Sequence, residues 1–258
     1  MELIGSGGPV ARTAVVTGGA SGIGRALAKH LARDGATVVA CDIDTTGLES
    51  LRNDMAAEGL SVCTVRADVT VQDDVDALVS QVMTNFGAIH VVANVAGIMD
   101  WFLPAHELDD ATWTRVMAVN VDGPRRLCRA VLPVMMTQGR GCIVNVGSVA
   151  STKGGVAGLA YTTSKHALVG LTRSIAWTYA SAGVRCNIVM PGYVDTGIGA
   201  TGDPRSEWAI ERLKPVLALS PRRASADEVA SVIAWVASDA AVILNGAQIP
   251  ADGGWTAT

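Results

Sequence analysis

Tyr161 and Lys165 stand four residues apart in Tyr161-Thr162-Thr163-Ser164-Lys165, and on a helix that spacing puts both side chains on one face. A tyrosine with an ordinary pKa of about 10 is a poor base near neutral pH, whereas a neighbouring ammonium favours its phenolate. The pair can therefore exchange a proton with an alcohol or carbonyl oxygen. Ser148 follows the apolar run at 142–146, and its hydroxyl can hold a substrate oxygen between itself and Tyr161. Asn120 precedes Pro124 by four residues in a helix-like stretch. Proline has no N–H, so the Asn120 carbonyl loses its intrahelical partner and is free to hold a water that links Lys165 to solvent. Each residue taken singly has a plain reading: a helix-surface coincidence, a loop serine, a kink made for packing. Their conjunction carries the weight.

A second constellation lies near the start. The run Thr17-Gly18-Gly19-Ala20-Ser21-Gly22-Ile23-Gly24 follows an apolar strand candidate and opens a helix candidate. Glycines there let backbone N–H groups approach a pyrophosphate at a helix N-terminus. The spacing G-x-x-x-G-x-G differs from G-x-G-x-x-G, and a glycine-rich turn with no ligand is the bland alternative. Asp42 lies 18 residues after Gly24, at the end of the next strand candidate, where a carboxylate can accept hydrogen bonds from ribose hydroxyls; as an isolated residue it would pass for a turn or cap. A true G-x-G-x-x-G occurs at Gly197-Ile198-Gly199-Ala200-Thr201-Gly202. It follows no strand directly and precedes no strand–acid pair, so it is expected to supply loop flexibility.

Strands are predicted at 13–17, 37–41, 61–66, 89–93, 142–146, 184–190 and 247–250, and helices at 22–33, 45–58, 71–86, 107–136, 158–181 and 225–238. The alternation predicts an α/β fold, a doubly wound parallel sheet of about seven strands with helices on both faces and ligands beyond the strands' carboxyl ends. No linker or internal repeat divides residues 1–258, so one domain is expected. The segment 192–219 breaks the rhythm with glycines and a short amphipathic stretch around Trp208, Ile210, Leu213 and Leu217, and is expected to be a substrate lid.

Hydrophobic residues make up 49% and charged residues 17%, which suits a sheet buried on both faces and does not suit disorder. A formal net charge of -4 offers nothing to nucleic acid or an anionic membrane. The N-terminus lacks a signal-peptide pattern, and no apolar run approaches about 18 residues; a cytoplasmic location is expected. The five cysteines, Cys41, Cys63, Cys128, Cys142 and Cys186, are odd in number and embedded in apolar runs, as reduced core thiols are. The histidines show no ligand spacing, so no metal is expected.

Together these residues resemble the short-chain dehydrogenase/reductase family along essentially the whole chain. Thr17 to Gly24 is similar to its TGxxxGIG turn, Asn94-Val95-Ala96-Gly97 to its NNAG element, Tyr161 with Lys165 to its active-site pair, and Pro191-Gly192 to its nicotinamide-side turn; Asn120 and Ser148 complete a tetrad. Val95 departs from the family's second Asn. The resemblance implies a Rossmann-type oxidoreductase that moves a hydride between NAD(H) and a small-molecule secondary alcohol or ketone. It further implies cofactor contacts from Gly18, Ser21, Gly22, Ile23 and Gly24 at the phosphates, Asp68 and Val69 around adenine, and Asn94 near the ribose. Ala96 and Gly97 of the NNAG-like element, Tyr161 and Lys165, Pro191 and Gly192 on the nicotinamide side, and Val194 and Thr196 at the carboxamide and phosphates complete the set, and a homotetramer assembled through the two long helices is implied as well. Ile98, Met99, Trp101, Phe102 and Leu103, Gly154, Gly155 and Val156, and Trp208 and Leu213 of the lid are expected to form an apolar substrate pocket. Two other readings compete. A 3-oxoacyl-thioester reductase would use Arg125, Arg126 and Arg129 as a carrier-protein patch, although Asp42 argues against the NADPH such enzymes favour. A dinucleotide-binding protein without turnover is disfavoured by the intact tetrad.

Overall fold

The computed structural model describes residues 12–199 and 206–257. Strands β1 (Thr13–Thr17), β2 (Thr37–Asp42), β3 (Cys63–Arg66), β4 (Val91–Asn94), β5 (Gly141–Val146) and β6 (Val184–Pro191) alternate with helices α1 (Gly22–Arg33), α2 (Thr45–Ala57), α3 (Gln72–Phe86), α4 (Asp110–Met117), α5 (Gly123–Gln138) and α6 (Leu159–Thr178). A short parallel pair, β7 (Val194–Asp195) and β8 (Ala224–Ser225), brackets α7 (Glu207–Leu217), and α8 (Ala226–Ala237) leads to β9 (Gln248–Ala251). The seven long strands pair in parallel in the order β3-β2-β1-β4-β5-β6-β9. Because the order reverses between β1 and β4, a crevice opens at their carboxyl ends.

Successive strand residues face opposite sides, and here both sides are packed. Ala14 and Val16 of β1 join Leu27, Leu51 and Ile233 of α1, α2 and α8, whereas Val15 joins Leu78, Leu127 and Ile175 of α3, α5 and α6. Burial on both faces explains the near-continuous apolar strands, and each fully buried leucine or isoleucine contributes about 1.5–3 kcal/mol of transfer free energy. Local signals start the helices. Ser225 and Glu228 form a reciprocal capping box at α8, and the Ser206 hydroxyl accepts the Ala209 N–H at α7.

The helix predicted over 107–136 is interrupted. Residues Ala118–Asp122 form a π-turn in which the Gly123 N–H reaches the Ala118 carbonyl, five residues back. Pro124, without an N–H, follows directly in the first turn of α5, so the ladder is re-spaced where the sequence foresaw a broken bond. All five cysteines are free thiols. Among the described residues no helix is long and apolar enough to cross a membrane. Ala200 to Gly202 of the second glycine motif, and the lid through residue 205, lie outside the described residues.

Candidate active site

β1 ends on Thr17, whose hydroxyl oxygen accepts the N–H groups of Val95 (3.0 Å) and Ala96 (3.1 Å). That ties the turn after β1 to the turn after β4. Gly18 has φ +68°, and a Cβ there would meet the Ala96 nitrogen at 2.9 Å. A Cβ on Gly24 would lie 2.1 Å from the Gly18 carbonyl oxygen; the helix start and the turn touch through backbone alone. Ser21 precedes α1 in extended conformation and gives no side-chain cap, which leaves the first N–H groups of the helix available to an anion. Thr196 approaches from the other side, its Cβ 3.3 Å from where a Cβ on Gly22 would stand. The cradle is thus shaped for a pyrophosphate lying against backbone.

Asp42 closes one end of this cradle. One carboxylate oxygen accepts the Ala20 N–H (3.1 Å) and the other the Asp44 N–H (3.0 Å). The residue therefore braces the glycine turn and still lines the cleft. Asp68 and Val69 line the same end. Asn94 does not line it: the residue is 3% exposed, and its side-chain amide donates inward to the Asn145 oxygen at 2.8 Å, joining β4 to β5. A polar side chain on a central strand must find a partner within the sheet.

At the other end α6 carries Tyr161 and Lys165, both buried. The Lys165 ammonium donates to the Val146 carbonyl at 2.9 Å and lies 5.4 Å from the Tyr161 ring centre. Burial pushes the Tyr161 phenol up to about 12, Asp100 adds to this, and the Ser148 hydroxyl pulls the other way. Burial also pushes Lys165 down to about 8. The expectation that the ammonium favours the phenolate is thus overridden in the protein alone, because loss of hydration outweighs it. At about 12 the Tyr161 phenol keeps its proton near neutral pH in the protein alone. Ser148 caps the 3₁₀ turn Val149–Ser151 through the Ala150 N–H (3.1 Å) and lines the cleft beside Tyr161.

Asn120 is fully buried and lies behind the cleft. Its side-chain oxygen accepts the Ile98 N–H at 2.9 Å, and its amide donates to the Ile98 carbonyl (2.9 Å) and the Ser164 hydroxyl (3.0 Å). Ser164 in turn donates to the Tyr161 carbonyl (2.7 Å). The asparagine thus connects the backbone after β4 to α6 through a hydroxyl that the sequence reading passed over, although Ser164 lies on the same face as Tyr161.

One cleft of about 1300 Å³ holds Gly18, Ser21, Gly22, Ile23, Gly24, Asp42, Asp68, Val69, Ala96, Gly97, Ser148, Tyr161, Lys165, Pro191, Gly192, Val194 and Thr196. Met99, Trp101, Phe102, Val149, Val156 and Trp255 give it an apolar lining, and Arg115, Asp195 and Arg223 line it as well. The expected wall changes in detail. Leu103 is buried behind it, Gly154 and Gly155 stay off it, and the lid helix contributes Leu217 in place of Trp208 and Leu213. Trp208 is 61% exposed and packs edge-on against His106. Tyr193, stacked on Trp255 and overlain by Arg223, was not foreseen. Nor was Asp100, since no spacing ties it to α6.

A doubly wound sheet with an anion cradle at one end of its crevice and a buried Tyr–Lys–Ser cluster at the other defines a dinucleotide-dependent oxidoreductase. The family model described as short chain dehydrogenase matches residues 12–206. The chain belongs to the short-chain dehydrogenase family, and it is an oxidoreductase whose cofactor is a nicotinamide dinucleotide. It is 37% identical over 247 residues to 3beta-hydroxysteroid dehydrogenase 2 of Eggerthella lenta, covering 95% of each chain. Identity is 40% over 248 residues to cis-4-hydroxycyclohexanecarboxylate dehydrogenase of Sinomonas cyclohexanicum, covering 95% of this chain and 97% of that one. A crystal structure of a protein assigned as an NAD(P)-dependent gluconate 5-dehydrogenase from Beutenbergia cavernae, with NADP at low occupancy, superposes with a TM-score of 0.86 at 36% identity, covering 97% and 98%.

Proposed function

We propose that this enzyme transfers a hydride between NAD(H) and a hydrophobic secondary alcohol or ketone, with Tyr161 as the general acid and base. The observation that carries this reading is the Tyr161 hydroxyl beside Ser148, between an apolar wall and the nicotinamide side of the cradle. Bound there, the nicotinamide supplies or accepts the hydride. Ser148 holds the substrate oxygen, and Tyr161 gives it a proton during reduction and takes one back during oxidation. Lys165 places a positive charge by the phenol as it ionises, and Asn120 fixes the backbone facing them. Gly18 to Gly24 hold the phosphates, and Asp42 holds the adenosine ribose. One relative is named for a hydroxysteroid, which favours a bulky apolar substrate, whereas another is named for a ring alcohol that carries a carboxylate.

The chain is proposed to work as one domain in the cytoplasm, with 192–219 as its lid. A homotetramer is supported by apolar surface left bare on the single chain, where Trp177 and Ile243 are 87% and 88% exposed. The carrier-protein alternative loses ground, since Arg125 of the candidate basic patch is paired with Asp122 at 3.0 Å.

The reading is tested by a screen of secondary alcohols and ketones that follows reduced nicotinamide with NAD and NADP in parallel. Bulky apolar substrates with NAD should lead; best activity on small, highly charged acids would overturn the apolar assignment. A second measurement addresses the cradle. A methyl on Gly24 would meet the backbone of the turn itself, the Gly18 carbonyl and the Gly19 nitrogen, and overpacking strain of ~1–3 kcal/mol taken from the bound cradle corresponds, at ~1.4 kcal/mol per tenfold, to roughly 5- to 150-fold weaker binding. Gly24→Ala should therefore weaken NADH binding to that degree in a fluorescence titration, and an unchanged Kd would remove the cradle from the cofactor site.

A further inference from the structure

Asp100 is a carboxylate with no exposed surface, three residues beyond Gly97. One of its oxygens accepts the backbone N–H of Tyr161 at 2.9 Å, across 61 residues of sequence. It thereby caps α6 from outside, because the helix's own N-cap residue, Gly158, has no side chain to do so. Gly158 also makes the contact sterically possible. A Cβ there would lie 2.3 Å from one carboxylate oxygen of Asp100 and 2.5 Å from the other, although its φ of -72° would suit any residue. Its other oxygen makes no hydrogen bond of good geometry, but the backbone N–H groups of Ala160 on α6 and of Asp100 and Phe102 in its own turn also bear on the carboxylate, so it joins the turn to the helix end.

The other side of the contact is the substrate wall. Directly after Asp100 come Trp101 (φ 55°) and Phe102 (φ 60°), the non-glycine residues in left-handed conformation among those described. Two bulky residues hold that backbone only where the surroundings over-determine it. Here the turn is closed by the Leu103 N–H on the Asp100 carbonyl (3.3 Å) and fastened to α6 by the Leu159 N–H on the Leu103 carbonyl (3.0 Å). Both aromatic residues line the cleft. The same four-residue turn therefore shapes the wall and grips the helix that carries the phenol.

We propose that Asp100 is a positioning residue: by clamping the 100–103 turn to the first turn of α6, it fixes the Trp101–Phe102 wall relative to the Tyr161 hydroxyl. This rests on the assignment of Tyr161 as the acid and base. A negative carboxylate also complements the helix N-terminus. The groups bearing on the Tyr161 phenol are Lys165 of its own helix, Ser148 after β5, Tyr193 in the same apolar cluster, and Asp100, whose charge raises its pKa.

The test uses the alcohol best oxidised in the screen and three substitutions. Asp100→Ala removes the clamp, Gly158→Ala pushes the carboxylate off it, and Asp100→Asn keeps an oxygen to accept the Tyr161 N–H but removes the charge. Displacement of a reacting group by about an ångström costs up to ~10²-fold, so Asp100→Ala and Gly158→Ala should each lower kcat by ~10- to 100-fold with the Kd for NADH unchanged. Adding Gly158→Ala to Asp100→Ala should cost nothing more, because the methyl then meets no carboxylate. Asp100→Asn should hold most of kcat and move the rising limb of the pH–rate profile for oxidation to lower pH. Additive losses in the double variant, or an Asp100→Asn profile that coincides with the parent's, would overturn the proposal even if Asp100→Ala fails to fold. Full activity of Tyr161→Phe would instead remove the reading on which it rests.

Discussion

Phenylalanine in place of Tyr161 is expected to lower turnover by ~10²–10⁴-fold, the usual contribution of a positioned acid or base, while NADH binds as before. The ring packs with Val149, Val156 and Trp255, and phenylalanine keeps those contacts; only the hydroxyl goes. Burial holds the phenol at about 12 in the protein alone, so it carries the proton that the substitution removes. Steady-state kinetics with a titration of NADH fluorescence separates the two effects. Turnover equal to the parent's would sink the mechanism.

The second large effect concerns cofactor choice. If Asp42 holds the adenosine ribose as proposed, its carboxylate would face the 2′-phosphate of NADP, and like charges in close juxtaposition cost several kcal/mol, so even half of that exceeds tenfold at ~1.4 kcal/mol per decade. Nearby cations are occupied. Arg25 is spent on the Ala20 and Gly47 carbonyls, Ser50 and Asp54, and Arg66, next to Asp42 in strand register, is paired with Asp74 at 2.7 Å. Clear preference for NAD(H) is therefore expected, and Asp42→Ala with Ser21→Arg should relax or reverse it. Because Asp42 also accepts the N–H of the buried Ala20, the double variant should bind either cofactor less tightly than the parent binds NADH, an unpaired buried group costing about 1–3 kcal/mol. Comparable kcat/KM for NADH and NADPH in the parent would show that Asp42 serves the turn alone. The NADP-bound Beutenbergia structure has the same fold, so local charge, and not architecture, is what such a comparison isolates.

The sheet was legible because parallel strands buried on both faces leave long apolar runs, and β1, β5 and β6 fall within a residue of where the sequence put them. The glycine turn and the Tyr–Lys pair were legible for a related reason: their chemistry depends on spacing along one segment. What stayed hidden depends on contacts across segments. Asn94 has the composition of a ligand contact but spends its amide inside the sheet. Asp100 and Ser164 act on α6 through partners that no local spacing reveals, and the lid presents Leu217 where its amphipathic pattern suggested Trp208. The pKa order of Tyr161 and Lys165 likewise follows from burial, which spacing does not encode.

The free thiols carry a consequence for chemical durability. Nucleophilic sulfur is thiolate, and its fraction falls with every rise in pKa. Cys41 and Cys128 are pushed up to about 12 and Cys142 to about 11 by burial, while Cys63 and Cys186 are raised in the same direction. Alkylating agents and peroxides should therefore find little reactive thiol on the folded chain apart from the half-buried Cys63. Oxidative damage passes to the thioethers, whose conversion to sulfoxide replaces an apolar side chain with a polar one. Met136 is 46% exposed on α5, where a sulfoxide is readily tolerated. Met99 is in the cleft wall, where the same single oxygen atom would turn an apolar lining polar and erode substrate fit long before it threatened the fold.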